Sequence, residues 1–412
     1  MKHQDEYRDP ELARVQLQAI SAAATGLDRT VTLMEVCGTH TMAVYQHGIR
    51  SLLPEQIRLV SGPGCPVCVT PVGYIDHAVA LAGREDTIIA TFGDMVRVPG
   101  SSSSLLHEQA SGASVKIVYS ALDAVTLAEN NPASTVVFLG VGFETTAPTI
   151  AGAILTAEKK NLQNFFVLCA HKTMPAPMAV LAGDPDLMVD GFLCPAHVSA
   201  IIGANAYQPL IAASRVPCVI TGFEPLDILQ GVLMLTKQVV AGEARVENQY
   251  RRVVKAEGNQ KARAILCRVF EPCDARWRGI GNIPGSGLRL RDAYTRFDAA
   301  RALPVEIERL TSLRGDRAEP RKARVGDPRE CIRSSGEHDV RLAAADDLGL
   351  GGFDRGVDGQ QVALLGHVVD GYLDGAATDA ERSVALRRRG RPIRARAEVR
   401  FFQPKCDPPG RG

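Results

Sequence analysis

The residues best suited to chemistry in this chain are three cysteines and one histidine in two short loops. Cys37 and His40 share the first loop with the spacing Cys-x-x-His, and Cys65 and Cys68 share the second with the spacing Cys-x-x-Cys. Soft thiolate and imidazole ligands suit iron, zinc or copper. Two cysteines at this spacing can also form a disulfide. The loops therefore predict a metal site, a redox site, or both.

The pair Cys65 and Cys68 admits three interpretations: a redox dithiol, half of a metal site, or two small residues at a turn. A helix starting directly after Cys65 would lower the pKa of its thiol through exposed amide N–H groups. A closed zinc site with four cysteines needs a second pair of this kind, and no other Cys-x-x-Cys occurs in the sequence. We therefore expect a site that is open or shared with a partner.

Cys37 and His40 could bind one ion jointly, because Gly38 lets the backbone come close to a ligand. The alternative is that Thr39 and Thr41 hydrogen-bond His40 as a structural residue. Cys169, Cys218 and Cys267 lie within apolar runs, where small core residues are the simplest interpretation.

Four more polar residues follow predicted strands and are candidates for the lining of a cleft. Glu144 and Glu224 come just before helices, where a carboxylate is favoured by the helix dipole and can cap its own helix. The functional alternative is that they steer protons or hold a partner's cation. Cys194 and His197 add polar groups on a neighbouring loop. All four are predicted cofactor-binding residues of the cleft.

Short strands and helices alternate along the chain. Strand-like apolar runs lie at 31–34, 57–60, 87–91, 115–119, 135–139, 165–168 and 217–220. Helical patterns lie at 10–24, 228–241, 246–257 and 261–270, whereas 277–287 is too rich in Gly and Pro for a helix and reads as a loop. This alternation is typical of βαβ units and mostly parallel sheets. Loops at the carboxyl ends of parallel strands gather on one edge, so the cysteine loops are expected to meet.

We therefore predict an α/β fold with two parallel-sheet lobes facing a central cleft, one continuous sheet being the rival arrangement. The first lobe is assigned to residues 1–130 with 245–302 and carries the cysteine loops. The second is assigned to residues 131–244. Residues 303–412 are expected to form a poorly ordered or diverged C-terminal tail.

Composition excludes several classes of protein. The formal net charge of +1 and the lack of a basic stripe with aromatics before the tail argue against nucleic acid as a partner. No apolar run approaches the roughly 20 residues that span a bilayer. Residues 1–9 are charged and lack the apolar core of a signal peptide. We predict a cytoplasmic protein, in which ten cysteines are thiols, metal ligands or redox groups rather than a disulfide framework.

Several motifs together resemble the [NiFe]-hydrogenase maturation factor family HypD. They are EVCGTHT (35–41), SGPGCPVCVTP (61–71), GFETTAP (142–148), CPAHVS (194–199) and GFEPLD (222–227), followed by WRG (277–279) and IPGSGL (283–288). The resemblance covers about residues 1–302.

This resemblance implies a scaffold for assembling the Fe(CN)2CO group, with redox-active thiols, rather than a turnover enzyme. Members of the family work with the small chaperone HypC and receive cyanide through HypE. By the family pattern, Cys37 is the iron-binding thiolate, shared with a cysteine of HypC, and His40 lies close by. Cys65 and Cys68 match the family's redox-active dithiol.

The C-terminal region departs from the family pattern. The family carries cysteines there that bind a [4Fe-4S] centre, but after Ala302 this chain offers only Cys331 and Cys406. A cubane cluster usually needs four thiolates, so no iron–sulfur ligands are identifiable. A shifted reading frame near residue 303 and natural divergence are both open explanations.

Two other functions remain as alternatives. A thiol–disulfide oxidoreductase would use Cys65 and Cys68 without metal. A metal-dependent enzyme would bind a small substrate over Cys37.

Overall fold

A computed structural model describes residues 5–305 of the chain. The tail predicted for residues 303–412 lies outside the described residues from 306 onward. Among the described helices, none combines the length and the apolar character that crossing a bilayer requires.

The strands of the described part are short and separated by helices, as the sequence predicts. They are β1 (Val31–Glu35), β2 (Ile57–Ser61), β3 (Thr87–Thr91), β4 (Ser114–Ile117), β5 (Thr135–Gly140), β6 (Phe165–Cys169), β7 (Gly191–Pro195), β8 (Cys218–Thr221), β9 (Val246–Asn248), β10 (Phe270–Trp277) and β11 (Gly281–Leu290).

The helices connect these strands. They are α1 (Pro10–Ala24), α2 (Gly38–Gln46), α3 (Ile49–Leu52), α4 (Val72–Ala82), α5 (Gly93–Val96), α6 (Leu105–Ala110), α7 (Ala121–Asn130), α8 (Ala147–Lys159), α9 (Pro175–Ala182), α10 (Ala196–Ile202), α11 (Gln208–Ser214), α12 (Pro225–Val240), α13 (Gln260–Val269) and α14 (Ala299–Ala302). Single 3-10 turns occur at Asp5–Tyr7, Ala204–Tyr207 and Asp292–Phe297.

The fold is α/β with two parallel sheets, which confirms the predicted class. One sheet has the strand order β2-β1-β7-β8-β9 and the other has the order β4-β3-β5-β6. A hairpin of β10 and β11 forms a separate antiparallel ribbon. Parallel strands need crossover connections, and the helices between the strands supply them.

Both parallel sheets are covered by apolar side chains on two faces, as parallel sheets require. In β1, Leu33 packs into the cluster formed with α1 and α12, whereas Met34 points to the opposite cluster around Phe192. In β5, Phe138 and Val137 likewise belong to clusters on opposite faces. Burial of each such side chain contributes roughly 1.5–3 kcal/mol, which fixes the strands that carry the site.

The strand pairing groups the chain differently from the predicted lobes. The chain leaves the first sheet after β2, builds the whole second sheet from β3 to β6, and returns for β7, β8 and β9. Residues 131–244 therefore supply strands to both sheets. The physical reason is that β1 pairs with the remote strand β7, from Leu33 opposite Gly191 to Glu35 opposite Leu193, and this pairing leaves no mark on local sequence.

Two predicted segments fold differently. Residues 246–257, predicted as helix, begin with β9, because Val246 pairs with Cys218 at the open edge of the first sheet. Residues 277–287, predicted as loop, contribute to the hairpin of β10 and β11. Pro284 is tolerated there because a two-stranded ribbon leaves one edge of each strand without a partner strand.

Candidate functional site

The two cysteine loops meet because their strands are neighbours. β1 and β2 pair in parallel from Val31 opposite Ile57 to Glu35 opposite Ser61, so both loops leave the same edge of the sheet. The N–H of Gly62 donates to the carbonyl of Glu35 at 2.7 Å. The predicted convergence of the two loops is therefore present in the structure.

Gly64 lies directly against the backbone of the Cys37 loop. A Cβ atom at Gly64 would lie 2.3 Å from the nitrogen and 2.4 Å from the Cα of Cys37, distances that real Cβ atoms do not adopt. The N–H of Gly38 donates to the Gly64 carbonyl at 3.2 Å. Backbone touches backbone here, and only glycine leaves the necessary space.

Cys37 is the N-cap residue of α2 and is buried. Burial raises the pKa of its thiol, while the N–H groups of His40 and Thr39 and the Thr39 side chain act in the opposite direction. The sulfur thus faces the first amides of a helix, where negative charge is stabilised. A thiolate formed at Cys37 would have hydrogen-bond donors in place.

His40 is fully buried and held by the end of β8. Its Nε2 lies 3.2 Å from the carbonyl of Thr221 and 3.0 Å from that of Gly222, so Nε2 carries the proton and donates. Nδ1 is buried and has no hydrogen-bond partner among the described residues. Burial lowers the pKa of His40 to about 4. The ring is therefore neutral at pH 7, with a lone pair at Nδ1.

These contacts bear on the alternative interpretation of His40, in which Thr39 and Thr41 hold the ring. The ring is held instead by β8. Thr41 Oγ1 donates to the Glu35 carboxylate at 2.9 Å. The structure brings Cys37 and His40 together at the start of one helix.

Glu35 is a residue of the site that the sequence reasoning did not select. It is fully buried at the end of β1 and accepts hydrogen bonds from the hydroxyls of Thr41 and Ser61, with Arg50 3.6 Å away. Burial raises its pKa to about 8, although these partners and the N–H of Cys37 oppose the shift. A glutamate inside an apolar strand, two residues before a candidate ligand, was the available signal.

The sulfur atoms of Cys65 and Cys68 lie 2.8 Å apart. The N–H of Cys68 donates to the Cys65 sulfur at 3.3 Å. Residues 66–69 form a turn and α4 begins only at Val72, so no helix starts directly after Cys65 to lower the pKa of its thiol. Pro71 favours the later start of the helix, because the residue before a proline is disfavoured in the helical region and Pro71 itself directly precedes α4.

Phe223 links His40 to His197. Its ring centroid lies 4.9 Å from that of His40 and 4.2 Å from that of His197. Phe223, in the loop after β8, therefore lies between His40 and His197, and His197 is in the first turn of α10. Cys194 has a different position: it lies within β7, buried in the apolar core beside Cys218. Its expected loop position is not found.

The two predicted glutamates lie in different environments. Glu144 is fully buried, and its Oε1 accepts the N–H of Met174 at the start of α9 at 2.9 Å. Burial raises the pKa of Glu144 to about 7. Glu224 is the N-cap residue of α12 but makes no side-chain capping bond, and instead pairs with Arg8 at 2.5 Å. Neither glutamate caps its own helix.

Asp227, which the sequence reasoning did not single out, is buried next to the His40 contacts. Its carboxylate pairs with Arg252 at 2.5 Å and accepts from Gln249 at 2.7 Å. The Arg252 guanidinium also stacks 4.1 Å from the centre of the Tyr250 ring. This network fixes the loop that carries Gly222 and Phe223.

A second group of polar residues lies where β6 meets the hairpin. The Cys169 sulfur is 3.0 Å from His171 Nδ1, and burial raises the pKa of Cys169 to about 12 and lowers that of His171 to about 3. Lys172 lies 5.6 Å over the Trp277 ring, and burial lowers its pKa to about 8. At pH 7, Cys169 and His171 are therefore uncharged, whereas Lys172 remains mostly protonated.

Within residues 5–305, no three His, Cys, Asp or Glu side chains come together in a way that could hold a metal ion. Cys37 and His40 supply two candidate ligands, and the rest of a coordination sphere would have to come from elsewhere.

The comparisons with known proteins point to one family. The family model HypD, described as the Hydrogenase formation hypA family, matches residues 11–331, beyond residue 302 where the resemblance was expected to end. The chain is similar to Hydrogenase maturation factor HypD of Azotobacter vinelandii, with 48% identity over 313 residues, 74% of this chain and 82% of the relative. It is 46% identical over 306 residues to Hydrogenase maturation factor HypD of Escherichia coli (strain K12), 73% of this chain and 82% of the relative.

Gly64→Ala should displace the Cys37 loop, because the added Cβ would meet main-chain atoms that cannot rotate away. We expect the free energy of unfolding to fall by about 2 kcal/mol or more, measured by chemical denaturation. Gly73→Ala is the matched control, since nothing lies within 4 Å of a Cβ there. Equal stability of the two variants would contradict the tight contact.

Glu144→Gln should change how stability depends on pH. A carboxyl whose pKa is raised on folding binds its proton more tightly in the folded state, so stability falls as pH rises from its usual 4.5 to about 7. The variant should lose this slope and gain about 3 kcal/mol at pH 8 relative to the parent. Urea denaturation across this pH range tests it, with the exposed Glu55→Gln as control. An unchanged slope would show that Glu144 does not cause it.

Proposed function

Because this chain belongs to the HypD family of hydrogenase maturation factors, we propose that it is the scaffold on which the Fe(CN)2CO group of [NiFe] hydrogenase is assembled. The iron is cargo, held jointly by this chain and a HypC-type chaperone. The observation that carries the proposal is the backbone contact between Gly64 and Cys37, in which the loop of a single thiol lies against the loop of a dithiol.

Cys37 and His40 fit the ligand chemistry of iron. Metal-binding histidines usually donate their second ring N–H to a carbonyl, and His40 does so to Thr221 and Gly222. Its Nδ1 is buried and without a partner among the described residues, so the lone pair is available. The Cys37 thiol would lose its proton on binding, as metal ligands do. Two ligands from this chain leave positions for diatomic groups and a partner's thiolate.

The pair Cys65 and Cys68 would supply electrons. With their sulfurs 2.8 Å apart, they can close a disulfide after a small movement, releasing two electrons and two protons. Cyanide would arrive through a HypE-type donor. We assign this chain the role of assembly scaffold rather than that of a turnover enzyme. The cytoplasmic location stays a prediction.

Neither Cys331 nor Cys406, the cysteines that follow Ala302 in the sequence, lies within the described residues. Two cysteines are fewer than the four thiolates that a [4Fe-4S] centre usually needs, so no step is assigned to such a centre.

The chaperone is proposed to dock on α2. Met42 and Tyr45 are large hydrophobic side chains that stay exposed on this helix, and the helix begins at Cys37. A partner that covers them would bring its own thiolate to the iron. Exposed apolar surface next to a site is typical of a protein interface.

A thiol–disulfide oxidoreductase is the second candidate function, favoured by the short distance between the Cys65 and Cys68 sulfurs. The two functions separate in one experiment. Anaerobic co-purification with the chaperone, followed by infrared spectroscopy, should show cyanide and carbonyl stretches if the chain is an assembly scaffold. Disulfide exchange with small thiols, without iron and without partner binding, would favour the oxidoreductase.

Cys37→Ala should abolish iron retention in the presence of the chaperone, because it removes the thiolate supplied by this chain. Cys267→Ala is the control, since Cys267 is buried in α13 within a different apolar cluster. Iron content after anaerobic gel filtration is the measurement. Equal iron content in the two variants would count against Cys37 as a ligand.

Tyr45→Glu should weaken the complex with the chaperone by about tenfold or more, because a buried aromatic at an interface often contributes over 1.4 kcal/mol. The residue is 78% exposed, so the fold should be unaffected. Tyr119→Glu is the control, at a residue 93% exposed that follows β4 in the other sheet. Calorimetric titration measures both. If both variants bind like the parent chain, α2 is not the docking surface.

A further inference from the structure

The two sulfurs of the dithiol are not equivalent in position. Cys68 is exposed, whereas Cys65 is only partly accessible. The Cys65 Cβ lies 3.9 Å from the place that a Cβ of Gly38 would occupy, in the loop of Cys37. The carbonyl of Gly64, next to Cys65, accepts the N–H of Gly38. Cys65 therefore faces the Cys37 loop and Cys68 faces solvent.

The hydrogen bonds within the turn are also unequal. Both the N–H and the thiol of Cys68 point to the Cys65 sulfur, at 3.3 and 2.8 Å. Negative charge on Cys65 is thus met by two donors. In thiol–disulfide exchange, the sulfur that best holds negative charge leaves fastest, and the accessible sulfur is attacked. The geometry favours attack at Cys68 and departure of Cys65.

Arg278 is hydrogen-bonded to the two residues that follow Cys68. Its main-chain N–H donates to the carbonyl of Val69 at 2.9 Å, and its Nε donates to that of Thr70 at 2.8 Å. Its Nη2 is buried and has no hydrogen-bond partner among the described residues. Cys68 and Asp76 are the titratable groups that interact with the guanidinium.

The Asp76 carboxylate already has hydrogen-bond donors of its own. Its carboxylate accepts from the N–H and the hydroxyl of Ser101, at 2.6 and 2.7 Å. A positive charge therefore remains beside Cys68, in a position to stabilise the thiolate of that residue.

We infer that the two sulfurs of the dithiol have different, fixed roles, which we call its polarity. A dithiol reductant from solution attacks Cys68, and Cys65 is the sulfur released toward the Cys37 loop. This rests on the proposed function, in which the dithiol supplies electrons at that loop. It adds the entry point, the exit point and a positioning residue, Arg278.

The steps balance as two thiol–disulfide exchanges. A reductant thiolate forms a bond to the Cys68 sulfur of the oxidised pair, the bond between Cys65 and Cys68 breaks, and Cys65 leaves as a thiolate facing the Cys68 N–H. The second thiol of the reductant then attacks the mixed disulfide, and Cys68 leaves as a thiolate beside Arg278. The reductant becomes a disulfide, and the protein pair gains two electrons and two protons.

Trapping of the mixed disulfide on the full-length oxidised protein tests the polarity without any substitution. A limiting amount of cysteamine, followed by an acid quench and peptide mass spectrometry, should place most of the cysteamine label within this pair on Cys68, the exposed sulfur. Equal labelling of the pair, or more label on Cys65, would overturn the inference.

Single variants give the rate at each sulfur. With glutathione disulfide as the probe, Cys68 in the Cys65→Ser chain should form the mixed disulfide about tenfold faster than Cys65 in the Cys68→Ser chain. Mass spectrometry of the peptide assigns the adduct. Equal rates, or a faster Cys65, would contradict the assignment of Cys68 as the point of entry.

In the Cys65→Ser chain, Arg278→Gln should slow the reaction of Cys68 with glutathione disulfide at pH 7 by roughly threefold to tenfold. It should also move the pH profile of this rate to higher pH, because a nearby cation lowers a thiol pKa. Arg278→Lys should restore part of the rate, which a loss of fold would not. Arg276→Gln is the control, at an exposed arginine near the end of β10, two residues before Arg278. A Cys68 pH profile that is the same in Arg278→Gln and the parent would remove Arg278 from the inference.

Iron retention with the chaperone, measured on the same preparations, separates the two proposals. Label on Cys65 together with retained iron would overturn the polarity alone. Label on Cys68 with no iron bound under any condition would overturn the assembly function, while the different roles of Cys65 and Cys68 would stand.

Discussion

The contact of Gly64 with the backbone of Cys37 is the constraint on which the rest of the site depends. It exists because β1 and β2 are adjacent parallel strands whose loops leave one edge of the sheet. Any side chain at Gly64 would push the loops apart, and the thiol of Cys37 would no longer lie beside the loop of Cys65. The backbones of the two loops are thus the rigid part of the site, and they position the cysteine side chains.

The same region holds polar groups in their neutral form. Burial raises the pKa of Glu35 to about 8 and that of Glu144 to about 7, and it lowers the pKa of His40 to about 4. Each of these groups would be charged in water at pH values where it is neutral here. Keeping them uncharged costs less than burying charges, and it leaves the Cys37 loop in surroundings of low polarity. Such surroundings strengthen the bond between a thiolate and a metal ion.

Sequence reasoning reached the parts of the fold that local patterns encode. The strand predicted at 87–91 and the helix predicted at 10–24 have the observed bounds, and the meeting of the two cysteine loops followed from the parallel arrangement. Sequence reasoning missed the structural features that depend on contacts between residues far apart in the chain. Val246 joins a sheet because Cys218 offers an open edge, and Arg278 reaches the dithiol turn from a hairpin more than two hundred residues later. Neither residue differs in type from an ordinary surface or core residue, so no local signal was available.

The pairing of β1 with β7 sets a limit on when the site can form during synthesis. The carbonyl of Leu193 accepts the N–H of Val36, directly before Cys37, and the carbonyls of Thr221 and Gly222 hold His40. Both supports are made long after the two cysteine loops have left the ribosome. A nascent chain therefore carries Cys37, Cys65 and Cys68 before the contacts that order their surroundings exist, and the arrangement of the site is complete only when the sheet has closed around β7 and β8.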